Sequence, residues 1–317
     1  MRWPGTILRE AGILSMNQRN ADFIMLNNAR RLYPLVDDKL KTKELAKRAG
    51  IAVPALYGVI RTEHAINELD ALLGEHKSFV VKPAHGSGGN GILVITDRRQ
   101  GRFVKASGSM ISRDELGHHI SNILSGMFSL GGMPDQAMIE YCVPFDPIFE
   151  DVAFQGVPDI RTIVFRGVPV ASMVRLPTRA SDGKANLHQG AVGAGIDMAS
   201  GQTQSGVCQN ARVSTHPDTG AALAGIGIPG WETLLLLAAR CYDLAALGYL
   251  GVDVVLDREF GPLVLELNAR PGLSIQLANR RGLLPALKAI EGMESIPTAA
   301  DERVALGLDL LAGSATS

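Results

Sequence analysis

One segment near the C-terminus, residues 251–272 (GVDVVLDREFGPLVLELNARPG), constrains the fold of this chain more than any other. Apolar side chains dominate two runs, residues 252–256 and 263–267. In each run, successive side chains are expected to point to opposite faces, as they do in β-strands. The polar stretch between the runs, centred on Glu259 and Phe260, predicts a turn. The segment is therefore expected to form an antiparallel hairpin.

Two carboxylates and an amide are expected on one face of this hairpin. With the predicted turn, Asp253 lies opposite Glu266, and Asn268 shares their face two residues further on. Facing carboxylates repel each other, and burying them without a partner is costly. Oxygen ligands of this kind favour Mg²⁺ or Mn²⁺, so the three residues predict a metal site. The alternative is that each acid pairs with a nearby arginine, such as Arg175 or Arg270.

A glycine-rich loop is the second informative segment. Residues 86–91 (GSGGNG) match G-x-G-x-x-G and lie between two predicted strands, residues 78–82 (SFVVK) and 92–96 (ILVIT). A dinucleotide-binding fold needs a helix after such a loop, and a P-loop needs Gly-Lys-Ser/Thr, so both are disfavoured. Two interpretations remain: a hairpin loop that covers phosphates, with Lys82 adding a positive charge, or a plain surface hairpin.

Composition excludes several classes of protein. Lys and Arg number 31 against 32 for Asp and Glu, and the net charge of −1 gives no general electrostatic case for binding nucleic acid or a membrane surface. The three cysteines, Cys142, Cys208 and Cys241, show no CxxC spacing, which disfavours a disulfide framework or a zinc site. No signal peptide and no apolar run of about 20 residues is present, so a cytoplasmic protein without a membrane span is expected.

Interspersed helices and hairpins predict an α+β fold rather than a regular βαβ array. Residues 143–158 read as a long surface connection, and residues 178–205, rich in glycine and poor in periodicity, read as an ordered loop. The predicted helices cover residues 37–50, 62–73, 113–130 and 231–247, with a short helix and a polar tail in 300–317. The predicted strands outside the hairpin cover residues 78–82, 92–96, 137–143, 160–165 and 168–175.

Several motifs in order resemble the ATP-grasp superfamily, and within it the ribosomal-protein S6 glutamate ligase group, or α-L-glutamate ligases. They are DKLKTKELAKRAGIAVP, FVVKPAHGSGGNGI, MIEYCV, DIRTIVFRGVPVASMVR, KANLHQGA and the hairpin, and they cover roughly residues 39–272. The resemblance implies an ATP-grasp fold in which two α+β lobes enclose ATP, with a reduced N-terminal domain. The implied parts are a short N-terminal segment (1–36), an N-lobe with the glycine loop (37–136), a C-lobe with the hairpin (137–295) and a tail (296–317).

The same resemblance implies the roles of individual residues. Asp253, Glu266 and Asn268 match the magnesium ligands of the family. Arg161 and Arg175 match arginines near the transferring phosphate, and His188 either assists proton removal from an amine or fixes the backbone of its loop. The implied contacts to ATP are Lys39, Lys82, Gly88, Gly89, Glu140, Tyr141, Cys142, Val143, Asp159, Lys184 and Asn186.

The expected function is that of an ATP- and Mg²⁺-dependent ligase that joins a carboxylate to an amine through an acyl phosphate. The alternatives are a phosphotransferase of related architecture or a non-catalytic ATP-binding module. The substrates are expected to be small molecules or peptides, with homo-oligomers possible and no nucleic-acid partner. Five basic residues favour an acidic substrate: Arg161, Arg175, Arg179, Lys184 and Arg270.

Overall fold

The computed structural model describes residue 8, residues 10–86 and residues 88–313. Ser87 of the glycine loop, residues 1–7 and 9 of the predicted N-terminal segment and residues 314–317 of the predicted tail lie outside the described residues. The chain divides into two compact units. The larger unit comprises Met1–Asp37, Glu44–Ala52 and Phe145–Ser317, and the smaller unit comprises Asp38–Lys43 and Val53–Pro144.

The described residues form helices and strands throughout. In chain order the helices are α1 (Met16–Gln18), α2 (Met25–Asn27), α3 (Pro34–Asp37), α4 (Lys39–Arg48), α5 (Leu69–Leu73), α6 (Arg113–Leu124), α7 (Trp231–Ala245), α8 (Ser274–Ala278), α9 (Leu284–Glu291) and α10 (Ala300–Gly313). A π-helical stretch covers Arg19–Ile24, and 3₁₀ turns cover Arg30–Leu32, Glu63–Glu68, Leu130–Gly132, Pro147–Val152 and Leu187–Gln189. The strands are β1 (Leu56–Ile60), β2 (Phe79–Pro83), β3 (Leu93–Arg99), β4 (Arg102–Lys105), β5 (Met110–Ile111), β6 (Ala137–Glu140), β7 (Asp159–Phe165), β8 (Val168–Leu176), β9 (Val192–Ile196), β10 (Thr203–Cys208), β11 (Ala211–Val213), β12 (Tyr249–Asp257) and β13 (Gly261–Asn268).

The smaller unit is built on an antiparallel sheet of strand order β1-β6-β2-β3-β4-β5. Helix α6 begins at a capping box, in which Ser112 and Glu115 each accept a hydrogen bond from the other's backbone N–H. Its apolar side places Leu116 and Ile120 in the core with Phe79, and all three side chains are fully buried. The glycine loop therefore leaves from and returns to a packed sheet, since β2 and β3 pair antiparallel on either side of it.

The larger unit holds an antiparallel sheet of strand order β11-β10-β9-β8-β7-β12-β13. One of its cores is centred on the fully buried rings of Phe23, Phe165 and Tyr249, and α10 lies against β8. Two antiparallel sheets with interspersed helices confirm the predicted α+β class. No helix in the described part of the chain has the length and apolar character that a bilayer crossing needs.

The prediction of a loop over residues 178–205 is partly wrong, because this stretch contains β9 and the start of β10 after an irregular first half. The glycines that suggest a loop are needed for close packing. A Cβ at Gly193 would lie 2.7 Å from Leu187 Cδ2, and one at Gly195 would lie 2.6 Å from the backbone oxygen of Ala278. These glycines let other segments approach the sheet surface, which their weak strand propensity conceals.

The predicted surface connection over residues 143–158 is also partly wrong. Its middle forms the 3₁₀ turn Pro147–Val152, which begins where the Asp146 side chain accepts a hydrogen bond from the backbone N–H of Ile148. Phe149 is fully buried and Val152 is 2% exposed. The segment therefore contributes apolar side chains to the interior of the larger unit.

Candidate active site

Five charged side chains lie on one face of four neighbouring strands in the larger unit. Asp253 on β12 lies directly opposite Arg161 on β7 and, on its other side, opposite Glu266 on β13. In the next row along the strands, Asp159 lies opposite Arg175 on β8. Directly opposed residues of an antiparallel pair project to the same face. The sheet therefore gathers residues that are up to 107 positions apart in the sequence, Asp159 and Glu266, on one surface.

A β-bulge sets the pairing of Asp253 with Glu266. Towards the turn, Val254 pairs with Val264, so Leu265 is the additional residue of the bulge. The predicted pair is confirmed, but the predicted centre of the turn is wrong. Asp257 pairs with Gly261 around a three-residue loop, because Asp257 Oδ1 accepts hydrogen bonds from the backbone N–H groups of residues 259 and 260, and Gly261 adopts a positive φ of 70°.

Asp253 is the centre of a buried hydrogen-bond network. Arg161 donates to both of its carboxylate oxygens, from Nε at 2.7 Å and from Nη2 at 2.6 Å. Arg175 Nη2 donates at 2.8 Å to Asp253 Oδ2 and at 2.6 Å to Asp159 Oδ2. Asn268 Nδ2 donates to Asp253 Oδ2 at 3.1 Å. Pairing of Asp253 with an arginine, the alternative to a metal site in the sequence analysis, is thus present: both Arg175 and Arg161 pair with Asp253.

The neighbouring carboxylates keep Arg175 charged. Burial would lower the pKa of Arg175, but Asp159 and Asp253 raise it well above its usual value. Burial also raises the pKa of Asp159, to about 6, whereas the pKa of Asp253 is lowered because Arg161 and Arg175 outweigh the effect of burial. With Glu266, three carboxylates face two guanidinium groups, and these five side chains carry a net charge of −1.

The chemistry of the predicted metal ligands fits a hard divalent cation. Asp253, Glu266 and Asn268 offer carboxylate and amide oxygens, and the net negative charge of the face suits a cation. Asp253 is 2% exposed, whereas Glu266 and Asn268 are only half-buried. A cation bound here would share the Asp253 carboxylate with the two arginines, or displace one of them.

In the smaller unit, Glu140 pairs with two lysines inside the protein. Lys82 Nζ forms an ion pair with Glu140 Oε1, and Lys43 Nζ lies 2.9 Å from Oε2. Lys43 Nζ also donates to the backbone oxygen of Pro54 at 2.5 Å. All three charged side chains are buried, and burial lowers the pKa of Lys43 despite the attraction of Glu140. Sequence reasoning missed Lys43, although it shares a helix face with Lys39 at a spacing of four residues.

The chain that follows Glu140 presents backbone rather than charged side chains. The backbone N–H of Tyr141 donates to the backbone oxygen of Ala55 at 2.8 Å. Cys142 is half-buried, and burial raises the pKa of its thiol to about 11, so the thiol stays protonated at neutral pH. Val143 is buried. Residues 141–143 therefore form a strip of uncharged side chains next to the ion pairs.

The glycine loop is held at both ends. Lys39 Nζ donates to the backbone oxygen of Gly86 at 2.6 Å, and His119 Nε2 lies 3.0 Å from the backbone oxygen of Gly91. Gly88 and Gly89 have positive φ angles of 65° and 78°, which other residues rarely adopt. The predicted phosphate-contacting residue Lys39, on α4, is thus hydrogen-bonded to the loop that carries Gly88 and Gly89.

A histidine and an aspartate that the sequence did not single out support the start of this loop. Asp135 Oδ1 lies 2.7 Å from His85 Nδ1, and Asp135 also accepts hydrogen bonds from the His85 backbone N–H and from Ser129 Oγ, at 2.6 Å for the latter. The side chain of Asp135 is fully buried. No sequence signal marks the pair, because 50 residues separate the two partners.

The remaining predicted residues lie in the segment before β9. Asn186 Oδ1 accepts a hydrogen bond from the His188 backbone N–H at 3.0 Å and so caps the 3₁₀ turn Leu187–Gln189. Lys184 is half-buried and its backbone N–H donates to the backbone oxygen of Ser181. His188 is exposed and lines a pocket over β10. The side chain of Asn186 therefore shapes the backbone around His188.

The five basic residues that were predicted to favour an acidic substrate do not lie together in the structure. Arg161 and Arg175 meet at Asp253, whereas the guanidinium of Arg179 lies 5.1 Å from the centre of the Phe154 ring. That of Arg270 lies 4.9 Å from the centre of the Tyr33 ring. The charged face thus consists of two arginines, three carboxylates and Asn268. Such a surface can hold a phosphoryl group and a cation.

The comparison with protein families gives a match over most of the chain. The model of a family described as sugar-transfer associated ATP-grasp matches residues 18–292. No curated protein matches the sequence.

Three of the solved structures that match are 14–16% identical to this chain. The ATP-grasp ligase PsnB in complex with a minimal precursor is 14% identical, with 84% of this chain and 63% of that chain covered and a TM-score of 0.43. D-cycloserine synthetase DcsG is 14% identical, with 92% and 80% covered and a TM-score of 0.44. D-alanine–D-alanine ligase from Bacillus anthracis in complex with ATP is 16% identical, with 89% and 70% covered and a TM-score of 0.43. The chain spans less than two thirds of the length of PsnB.

Proposed function

The chain belongs to the sugar-transfer associated ATP-grasp family, whose model matches residues 18–292, and on that premise we propose that it is an ATP- and Mg²⁺-dependent ligase that forms an amide bond. The observation that carries the proposal is the charged face around Asp253, where two arginines stand beside the oxygen ligands Glu266 and Asn268. Catalysis of phosphoryl transfer needs positioned cations and no protein nucleophile, and this face supplies such cations.

The proposed reaction has two steps. An oxygen of the substrate carboxylate attacks the γ-phosphorus of ATP, the bond to the bridging oxygen breaks, and ADP leaves. The nitrogen of an amine then attacks the carbon of the acyl phosphate, inorganic phosphate leaves, and the nitrogen loses a proton. The product is an amide, and ATP supplies the energy that direct condensation lacks.

In this proposal the larger unit handles the transferring group. Arg161 and Arg175 stabilise charge on the phosphoryl oxygens, and their fixed pairing with Asp253 and Asp159 holds the guanidinium groups in place beforehand. When bound by Asp253, Glu266 and Asn268, Mg²⁺ would neutralise part of the charge of the ATP phosphates. His188 accepts the proton of the amine, and Lys184 and Asn186 order the segment that carries it.

The smaller unit is proposed to bind the nucleotide. Lys82 and Lys39 contact phosphates, and Gly88 and Gly89 allow the loop backbone to approach them. The segment from Glu140 through Tyr141 and Cys142 to Val143 receives adenine. Glu140 has a supporting role here, because its carboxylate holds Lys82 and Lys43 inside the protein. Asp159 is proposed as a further nucleotide contact.

The finer proposal is that the donor is an acidic amino acid or peptide, as in the α-L-glutamate ligases that the motifs resemble. ADP release is measured with pairs of amino acids and dipeptides, and the products are identified by mass spectrometry. The proposal requires ADP release that depends on both a carboxylate and an amine, with one phosphate per amide. A stable phosphorylated product formed without an amine would instead establish a phosphotransferase, and nucleotide binding with no ADP from any pair would establish a binding module.

A variant pair tests the site directly. Glu266→Gln removes one proposed metal ligand from a half-buried position and should abolish ADP release while the protein stays folded. Glu259→Gln changes an exposed carboxylate in the turn of the same hairpin and should leave ADP release at the wild-type rate. Equal activity of the two variants would show that the charged face is not the catalytic surface.

A further inference from the structure

A pocket of about 230 Å³ lies in the larger unit, outside the charged face. It is formed by the segment before β9, by the β10–β11 hairpin and by α8. Seven residues line it: Leu187, His188, Val207, Gln209, Asn210, Ser274 and Leu277. The volume suits a group of the size of an amino-acid side chain or a small ring, and the inference drawn from it rests on the proposed ligase function.

The strand register places this pocket beside the charged face. Val207 pairs with Gly193, and Gly193 pairs with Arg175, so all three positions project to the same face of the sheet. Val207, which lines the pocket, is therefore two strand spacings from Arg175, or about 10 Å. A molecule of modest length can have one end in the pocket and the other end at the arginines.

Two glycines of β9 create the walls of the pocket. The Leu187 side chain lies directly over Gly193, and the end of α8 lies over Gly195, where any Cβ would collide with Leu187 Cδ2 or with the Ala278 backbone oxygen. Larger residues at 193 and 195 would push these segments away from the sheet. The same two glycines therefore allow Leu187 and α8, which contribute to the lining, to pack closely against the strand.

The lining contains one histidine, and its other side chains are neutral. Among the described residues, none of those that line the pocket is Lys, Arg, Asp or Glu. Three aliphatic side chains (Leu187, Val207 and Leu277) and three neutral polar ones (Gln209, Asn210 and Ser274) make up the rest. Leu277 is 48% exposed, as is common for apolar residues at ligand grooves. A charged group that entered would lose water without gaining an ion-pair partner.

We propose that this pocket binds the side chain of the amine acceptor, and that it selects an uncharged side chain with an aliphatic stem and a hydrogen-bonding end. The stem would contact Leu187, Val207 and Leu277, and the end would bond to the amide or hydroxyl groups of Gln209, Asn210 and Ser274. His188 lies at the boundary of the pocket, where it can reach the amine of the same molecule. The acidic preference inferred for the donor then does not extend to the acceptor.

An isosteric pair of probes tests this selection without turnover. L-Glutamine and L-glutamate differ in side-chain charge but hardly in shape, and their dissociation constants are measured by ligand-observed NMR at about pH 8 without ATP. Wild-type protein should bind glutamine about tenfold more tightly than glutamate. Gln209→Lys adds a positive charge to the lining and should shift the ratio towards glutamate by about tenfold, whereas Gln202→Lys, at an exposed position that does not line the pocket, should leave the ratio unchanged.

The outcomes separate this inference from the proposed function. Equal binding of the two probes, tighter binding of glutamate, no binding of either, or an equal shift in both lysine variants would overturn the pocket assignment, even if amine-dependent ADP release is observed. A glutamine preference that Gln209→Lys shifts, in a protein that releases no ADP with any pair, would retain the pocket and reject the ligase.

Discussion

Replacing Glu140 with glutamine should destabilise the smaller unit more than removing one of the lysines that flank it. The wild-type cluster holds one buried carboxylate between Lys43 and Lys82, with a net charge of +1. Glu140→Gln leaves two buried ammonium groups facing each other with no counter-ion. Lys43→Met leaves a matched pair of Lys82 and Glu140.

The magnitudes follow from this difference in charge. Removing one partner of a buried ion pair typically costs about 3–5 kcal/mol, because the remaining charge loses its compensation. Two like charges about 5 Å apart, with an effective dielectric constant near 20, repel by roughly 3 kcal/mol, which agrees with that range. Lys43→Met leaves the Pro54 oxygen without its lysine donor, which costs about 1–2 kcal/mol. The double variant should be more stable than the sum of the two losses predicts, by about 2 kcal/mol or more.

The assay has to report on the smaller unit. Trp231, the tryptophan within the part of the chain that the structure describes, lies in the larger unit, so its fluorescence is not a direct reporter of the surroundings of Glu140. Urea unfolding is therefore followed by circular dichroism, and hydrogen exchange is measured for the peptides that contain β2 and β6. Glu44→Gln is the matched control, since Glu44 lies beside Lys43 on α4, is paired with Arg48 and has a 60% exposed side chain.

The reasoning fails if Glu140→Gln costs less than about 1 kcal/mol, or if Lys43→Met costs as much as Glu140→Gln. It also fails if the Glu44→Gln control changes exchange in β2 and β6 as strongly as Glu140→Gln does. In each case the buried charges would have to be compensated by something other than their mutual pairing.

Three further results are expected. Gly195→Ala should lower the free energy of unfolding by about 1–3 kcal/mol, because its Cβ would lie 2.6 Å from the Ala278 backbone oxygen. Gly227→Ala is the control and should change this free energy by less than about 0.5 kcal/mol, because no atom lies within 4 Å of its Cβ. Urea titrations of both variants, followed by Trp231 fluorescence, test this. Asp253→Asn should cost about 3–5 kcal/mol in the same titration, because Arg161 and Arg175 lose their shared carboxylate, and stability equal to that of Glu266→Gln would contradict the observed network. Burial raises the pKa of Glu140, but Lys82 and Lys43 outweigh burial and hold that pKa in the folded protein below its usual 4.5. The ionised Glu140 carboxylate therefore stabilises the fold fully above pH 4.5, and this stabilisation is lost as the pH falls through the pKa of the folded state. When the free energy of unfolding is measured against pH, it should fall less steeply below pH 4.5 in Glu140→Gln than in wild type.

Local sequence signals were sufficient for the hairpin and the glycine loop. The alternation of side chains in residues 251–272 and the polar turn between the runs depend on neighbouring residues only, so the two strands could be predicted. The pairing of Asp253 with Glu266 was predicted correctly because the bulge at Leu265 offsets the error in the predicted centre of the turn. The β-branched run after the glycine loop likewise predicted a strand rather than a helix, and β3 follows the loop as expected.

Partners that are distant in the sequence could not be predicted in the same way. Arg161 reaches Asp253 across 92 residues, and Lys43 reaches Glu140 across 97, with no periodic pattern to connect them. In β9 the prediction failed for a different reason. Gly193 and Gly195 are required because Leu187 and Ala278 pack directly over them, whereas the low strand propensity of glycine takes no account of such neighbours. The roles assigned to Lys184 and His188 rest on the family resemblance and remain predictions.

The bulge at Leu265 separates the turn of the hairpin from the end that carries Asp253, Glu266 and Asn268, so the pairing at that end does not depend on the length of the turn. Residues 254–257 pair with 261–264 in one register, and residues 251–253 pair with 266–268 in another. The pairing of β12 with β7 holds Asp253 in place from the opposite side. Loop lengthening at residues 258–260 therefore does not slide Asp253 past Glu266. That turn is a suitable position for inserting a short tag or a fluorescent label into a protein that keeps its charged face in register.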